Sequence, residues 1–221
     1  MNSNWNLTRH GFTWDCLQSD HVRELEQSCQ KILSRSPKPF GIRNVLSCSS
    51  DLRKNVEHSL VPIARKHIGP QAFLVRSTLF DKPSKANWGV PWHQDVTIEV
   101  QDRHEVDGFG PWSTKDGLLS VQPPQSILEN MVTLRLHFDD TNEENGALLV
   151  DPSSHRNGKL RIEEIVPTNT ICCDCSAGDI LVMRPLLFHA SNRSKTTKSR
   201  RVLHLDFAVQ PLPAPLKWRE I

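Results

Sequence analysis

In the stretch VPWHQDVTIEV, Val90 to Val100, a histidine and an aspartate are separated by one residue within a segment that reads as a β-strand. Side chains alternate across a strand, so this reading puts His93, Asp95, Thr97 and Glu99 on one face and Trp92, Gln94, Val96, Ile98 and Val100 on the other. His-x-Asp alone is a weak signal in a chain with ten histidines. A metal centre needs a third ligand, and GDILVMRPLLFHASN supplies a candidate: a turn signal and an apolar strand that ends on His189. Pairing across a sheet could bring that imidazole to the first two groups. Two imidazoles and one carboxylate on one side of a metal form the facial triad of non-haem Fe(II) oxygenases, with positions left open for a co-substrate and O2. The competing reading of His93 and Asp95 is a hydrogen-bonded pair on a solvated face.

A dicarboxylate co-substrate would need a basic group at its far end. Arg200 follows His189 after enough chain to turn and return on a neighbouring strand. In SRRVLHLDFAV, Arg200, Val202, His204 and Asp206 share one face, against Arg201, Leu203, Leu205, Phe207 and Val209 on the other. In MVTLRLHF, Thr133, Arg135 and His137 stand against Val132, Leu134, Leu136 and Phe138. Arg200 also fits a solvated basic run, KTTKSRR, and Thr133 and Arg135 also fit an exposed face.

The elements that must position these residues fall into two regions. Helical spacing of Val22, Leu25, Cys29, Ile32 and Leu33 after Asp20, a good N-cap, predicts a helix over His21 to Leu33, stopped by Pro37 and Pro39. A second helical region runs from Ser50 to Ile68, broken near Pro62 and ended by Gly69-Pro70. Beyond it lie short strand-like runs: Phe73 to Phe80, Trp92 to Val100, Met131 to Phe138, Ala147 to Val150, Thr170 to Cys173, Asp179 to Met183, Leu187 to Ser191 and Arg201 to Val209. Asn145-Gly146 is a hairpin-type turn signal. Residues 102–124, rich in Gly and Pro, read as a long loop, either a lid or a surface excursion, and the terminal PLPAPLKWREI as extended and peripheral. Strands polar on one face and apolar on the other suit either a sandwich with its polar faces in water or a barrel with a polar, ligand-holding interior. Periodicity does not choose between them; a metal triad would choose the barrel.

At 221 residues, with no break in complexity, one domain over 1–221 is the expectation. A net charge of +2 argues against a nucleic-acid or membrane partner and for a small-molecule substrate. The N-terminal MNSNWNLTRHGF has no signal-peptide run and no later stretch is of spanning length, so a cytoplasmic protein with reduced thiols is expected. The CCDC cluster at Cys172 to Cys175 lacks a second paired half and reads as a buried or half-buried strand. His155 reads as a structural turn residue.

WHQD at 92–95, NGALLVDPSSHRNG from Asn145 to Gly158, and GDILVMRPLLFHAS followed by SRR together resemble the phytanoyl-CoA dioxygenase family of Fe(II)/2-oxoglutarate-dependent oxygenases. The resemblance spans Phe73 to Val209, with Gly11-Phe12 and the opening helix similar to the family's N-terminal region. PSSH at 152–155 departs from the glycine the family more often has before SH. The resemblance implies a mainly β chain with flanking helices: a double-stranded β-helix (cupin-like jelly roll) over about 73–209, carrying a helical part over about 15–70. It implies Fe(II) held by His93, Asp95 and His189, and 2-oxoglutarate held at its distal carboxylate by Arg200, with Ser191 beside it. Thr133 and Arg135 would line the cavity, and Arg201 replaces Arg200 if the register slips by one. The implied reaction consumes O2 and 2-oxoglutarate, releases succinate and CO2, and hydroxylates a substrate; the alternatives are a non-catalytic 2-oxoglutarate or metal-binding sensor and an oxygenase acting on a protein or nucleic acid. Asp95 stands where related halogenases carry a small residue, which favours hydroxylation over halogenation.

Overall fold

The computed structural model describes residues 4–36, 41–82, 88–196 and 200–220. In chain order its helices and strands are α1 Leu7–His10, β1 Phe12–Cys16, α2 Ser19–Leu33, β2 Gly41–Arg43, α3 Ser50–Ser59, α4 Val61–Ile68, β3 Phe73–Lys82, β4 Val90–His93, β5 Ile98–Glu99, β6 Trp112–Lys115, β7 Leu118–Val121, α5 Gln125–Glu129, β8 Met131–His137, β9 Leu148–Val150, β10 Ile171–Cys173, β11 Asp179–Met183, β12 His189–Ser191 and β13 Arg200–Ala208. They form a six-stranded sheet, β1-β11-β8-β13-β3-β2, a four-stranded sheet, β10-β9-β12-β4, and a small sheet, β5-β7-β6. Pairing is antiparallel throughout the two larger sheets, and the architecture is the jelly roll expected.

Alternation on the central strands decides which face is inside. Leu79, Leu134, Leu136, Leu203, Leu205 and Phe207 form one buried cluster with Leu25 and Cys29 of α2, Leu52 and Val56 of α3, and Leu60 and Ala64. Each fully buried Leu or Phe contributes about 1.5–3 kcal/mol, so the helices are held on the outer face of the six-stranded sheet by apolar contact. The polar residues therefore turn inward. Across the ladder, His204 lies opposite Arg135 and Thr78, Asp206 opposite Thr133 and Arg76, and Arg200 opposite Lys82.

Several boundaries differ from the sequence expectation. Helix α2 starts at Ser19, and Asp20 sits in its first turn rather than capping it, where its charge still suits the positive end of the helix dipole. Ser49 caps α3 by accepting from the Leu52 N–H. The break between α3 and α4 falls at Leu60, and Pro62 lies in the first turn of α4, where its missing N–H leaves no partner unsatisfied. Pro37 and Pro39 lie outside the described residues, as do 197–199 of the KTTKSRR run.

The run 92–100 is two strands, not one. The chain leaves the ladder after His93 because the buried Gln94 side chain turns to backbone partners, donating to Gly158 O and Leu186 O, each at 2.8 Å, and accepting from Leu160 N at 2.9 Å. His189 opens strand β12 rather than closing one. Asn145-Gly146 belongs to a 3-10 turn over Glu143–Asn145 that ends on Gly146 at φ 78°, not to a tight hairpin. The hairpin lies instead inside 102–124, where Asp116 and Gly117, at φ 53° and 77°, join β6 to β7 with the two positive φ values of a type I′ turn. Ser153, where the family favours glycine, adopts a left-handed φ of 71°, so that departure puts a Cβ where glycine is the unstrained choice.

The C-terminal segment is integrated rather than peripheral. Leu212, Leu216 and Trp218 are buried with Ile98, Val100, Val121 and Met131, and Glu220 accepts from Ser77 Oγ and Arg53. Pro211, Pro213 and Pro215 leave few N–H groups to offer a sheet, yet the intervening apolar side chains close one end of the barrel. No described helix is long and apolar enough to cross a membrane.

Candidate metal centre

His93, at the end of β4, and His189, at the start of β12, are direct partners in the antiparallel register, and their ring centres lie 4.1 Å apart. Asp95 reaches the same point from the irregular chain after β4, whose course is set by its N–H donating to Pro185 O at 2.9 Å and by the neighbouring Gln94 anchors. One ligand atom from each of the three lies within 4.8 Å of the others. Each histidine holds its Nδ1 against a backbone carbonyl at 2.8 Å, Pro91 O for His93 and Leu187 O for His189. That contact makes Nδ1 the donor and leaves Nε2 as the lone-pair atom, the usual outer support of a metal-binding imidazole.

Asp95 Oδ2 is buried without a hydrogen-bond partner, 3.7 Å from His189 Nε2, too long for a hydrogen bond. An orphaned carboxylate oxygen facing two imidazole nitrogens is an environment a divalent cation completes. Burial opposes the Asp95 charge, but His189, Arg76, His204 and His93 outweigh it and hold the carboxyl well below the usual carboxylate range. Burial pushes His189 down to about 4, against Asp95 and with His93 and Arg135. Near neutral pH His189 is therefore uncharged, and the permanent charge of Arg76 keeps Asp95 ionised. Both are in the protonation state a metal ligand needs. Among the described residues no other cluster of His, Cys, Asp or Glu has ligand geometry. Cys172 is half-buried on β10, Cys173 and Cys175 are buried, and all are free thiols. His155 packs against Gly11 and reaches Thr8 O, away from the triad.

The triad opens on a cavity of about 410 Å³, within the range of small-molecule sites. Arg200, Ser191 and Arg135 line it with Phe80, Trp88, Leu148 and Val202. Arg200 is buried, and burial with the nearby Arg135 lowers it to about 10. Arg201 points to the outer face, where Asp139 and Glu26 hold it, so the unslipped register places Arg200 at the cavity. Thr133 faces the interior but is not among the lining residues; its hydroxyl donates to Asp206 Oδ1 at 2.7 Å.

That contact belongs to a buried network whose members, Arg76 excepted, stand on the polar faces read from the sequence, but whose connections the sequence does not show. Arg76 pairs with Asp206 at 2.5 Å and donates to Thr97 O at 3.2 Å. Arg135 Nη1 donates to His204 Nδ1 at 2.9 Å; because arginine only donates, His204 carries its proton on Nε2, 3.2 Å from Asp206 Oδ1. Sequence reading also missed Lys82 and Arg43 in the wall, and the hairpin residues Ser113, Lys115 and Ser120. Parity on β3 and the Asp116-Gly117 pair were the signals that could have found them.

The profile of the family described as Phytanoyl-CoA dioxygenase (PhyH) matches residues 17–202. A curated relative, "Dioxygenase olcK" of Penicillium canescens, is 29% identical over 133 residues, 57% of this chain and 41% of that protein; the match thus spans well under half of the relative's length. Among solved structures, EctD from S. alaskensis in its apoform superposes with a TM-score of 0.72 at 18% identity, covering 97% of this chain and 82% of that one. AviO1 from Streptomyces viridochromogenes Tue57 gives 0.66 at 20% identity, covering 95% of each. SnoK, a non-heme alpha ketoglutarate dependent carbocyclase from nogalamycin biosynthesis, gives 0.69 at 14%, covering 97% and 84%. At such identities these structures speak to the fold, while the profile spans most of the chain: this protein belongs to the phytanoyl-CoA dioxygenase family of Fe(II)/2-oxoglutarate-dependent oxygenases.

Proposed function

We propose that residues 1–221 act as one Fe(II)- and 2-oxoglutarate-dependent oxygenase domain, the helical part of about 15–70 packed on the jelly roll of about 73–209. Its reaction is hydroxylation of a small molecule with release of succinate and CO2. The observation that carries this reading is the convergence of His93, Asp95 and His189, with a buried, unpartnered carboxylate oxygen, on a cavity whose wall holds Arg200. The donor set, two imidazoles and one carboxylate, fits Fe(II) with three positions open. Bound there, iron supplies the oxidising chemistry that couples decarboxylation of 2-oxoglutarate to hydroxylation of an unactivated C–H bond.

The chain's own residues do the positioning. Pro91 O and Leu187 O fix the two imidazoles by their Nδ1–H groups. Arg200 offers a fork to the distal carboxylate of 2-oxoglutarate, and the buried Ser191 hydroxyl stands beside it. Arg135 and His204 hold the adjoining wall, and Thr133 acts through Asp206 rather than by touching the co-substrate. Phe80, Trp88, Leu148 and Val202 supply apolar wall to the cavity. Asp95 supplies a carboxylate where related halogenases carry a small residue, which favours hydroxylation over halogenation, while desaturation or ring closure would use the same ligands. Anaerobic titration with Fe(II) and then 2-oxoglutarate, followed by absorbance, tests the reading: a charge-transfer band that grows with both additions is expected, and its absence would refute it. A screen of metabolite pools for an oxygenated product then identifies the substrate.

A further inference from the structure

The strand register sets two cations directly against one another. Arg200 on β13 is the ladder partner of Lys82 on β3, and both side chains line the cavity. Like charges opposite each other on neighbouring strands repel and weaken a sheet. Elsewhere on the same strand the fold matches its charges: Arg76 faces Asp206 and pairs with it, and Arg201 is paired with Asp139 and Glu26. For Lys82 and Arg200 no carboxylate among the described residues plays that part. Burial, then Arg200 and Arg135, lowers the Lys82 ammonium to about 7, and burial with Arg135 lowers Arg200 to about 10. Lys82 is nonetheless held in place. Its Nζ donates to Trp88 O at 3.1 Å, lies 4.5 Å from the centre of the Trp88 ring and stands 3.5 Å from Ser191 Oγ. A lysine free to choose would carry its ammonium into water, so a half-buried cation tethered beside another is a built anion site.

We propose that Lys82 is the second arm of the clamp on the distal carboxylate of 2-oxoglutarate, opposing Arg200 across the ladder with Ser191 between them. The inference rests on the iron and 2-oxoglutarate reading above and names a co-substrate contact that the sequence did not reveal. A carboxylate has two oxygens and about four lone-pair sites, enough to accept a guanidinium fork, an ammonium and a hydroxyl together. The clamp makes the site selective for a keto acid with a second carboxylate. In the ligand-free protein burial beside Arg200 disfavours the Lys82 charge, and the co-substrate carboxylate favours it again.

The test compares 2-oxoglutarate with 2-oxopentanoate, which keeps the keto-acid end and has a methyl in place of the distal carboxylate. Binding of each to the anaerobic Fe(II) protein is measured by calorimetry for wild type, Lys82→Met and Lys82→Arg. Lys82→Met is expected to weaken 2-oxoglutarate by about tenfold or more while leaving 2-oxopentanoate unchanged or tighter, with Lys82→Arg restoring much of the difference. A melt of the metal-free protein gives an independent readout: Lys82→Met should melt no lower than wild type, because a repulsion is removed. Equal weakening of both keto acids, no weakening of either, or a lower melt without metal would overturn the proposal. A wild-type protein that binds neither keto acid would overturn the parent reading instead, and this inference with it.

Discussion

Asp206 is the hinge of the buried network beneath the metal centre, and Asp206→Asn isolates its charge. Its carboxylate pairs with Arg76, both side chains nearly buried at 2% and 11% exposure, and it accepts from Thr133. Asparagine keeps the shape and an acceptor for Thr133 but leaves the Arg76 charge buried without its counter-ion. Breaking one side of such a pair costs about 3–5 kcal/mol. In a domain of this size each kcal/mol moves the melting point by about 2–4 °C, so Tm should fall by roughly 6–20 °C. Arg76 already acts on Asp95 electrostatically; freed from Asp206, it becomes a competitor for the carboxylate the metal needs. Iron affinity should therefore fall by about tenfold, the equivalent of about 1.4 kcal/mol. Arg76→Met combined with Asp206→Asn removes both charges and should recover most of the lost stability. The pH dependence has a definite sign. Burial raises the Asp206 carboxyl but Arg76 and His204 lower it further, to a net depressed value. Its contribution is thus complete above an unfolded pKa of about 3.9 and lost as pH falls through the folded one. Wild type should lose stability on acidification below about pH 4 more steeply than Asp206→Asn. Thermal melts across pH and anaerobic Fe(II) titration are the assays. A single variant melting within a degree or two of wild type, or a double variant whose cost is the sum of the two singles, would refute the argument.

Other substitutions test separate parts of the structure. His93→Ala, Asp95→Ala and His189→Ala should each abolish Fe(II)-dependent uncoupled turnover of 2-oxoglutarate, whereas Arg200→Ala should raise the 2-oxoglutarate concentration needed by roughly tenfold or more; oxygen-electrode assays separate the two outcomes. Gly146→Ala places a Cβ 2.5 Å from Asn192 O at φ 78° and beside the Arg200 guanidinium, so it should cost about 1–3 kcal/mol in chemical denaturation and raise the 2-oxoglutarate requirement as well. Trp218→Ala empties the closed end of the barrel and should lose about 3–5 kcal/mol, which a denaturant titration would detect; a smaller loss than about 1 kcal/mol would return the C-terminal segment to the periphery. Native thiol titration near pH 8 should modify Cys16 and Cys48 quickly, since both are exposed. Cys29 and Cys172 should lag, each pushed up to about 12 with burial the largest cause.

The composition of the site was legible in the linear chain; its connections were not. Side-chain alternation is a local property of a strand, so the shared face of Thr133, Arg135 and His137, and that of Arg200, His204 and Asp206, could be read without coordinates. Motif order brought His93, Asp95 and His189 together as candidates, with Arg200 beyond them. The strand reading of 92–100 failed because it applied one period through Gln94, whose buried amide is claimed by backbone near 158–160 and 186, partners far away in sequence. The 102–124 segment lacks a clear apolar alternation on the flanks of Asp116-Gly117, so its sequence suits a loop although that pair carries a hairpin signal. Which face of each strand lies inside depends on the helices that cover the other. That Arg200 meets Lys82, and that Thr133 serves Asp206 instead of the cavity, follows from inter-strand register. Register is set by apolar contacts summed over the whole barrel, which no short stretch of residues encodes.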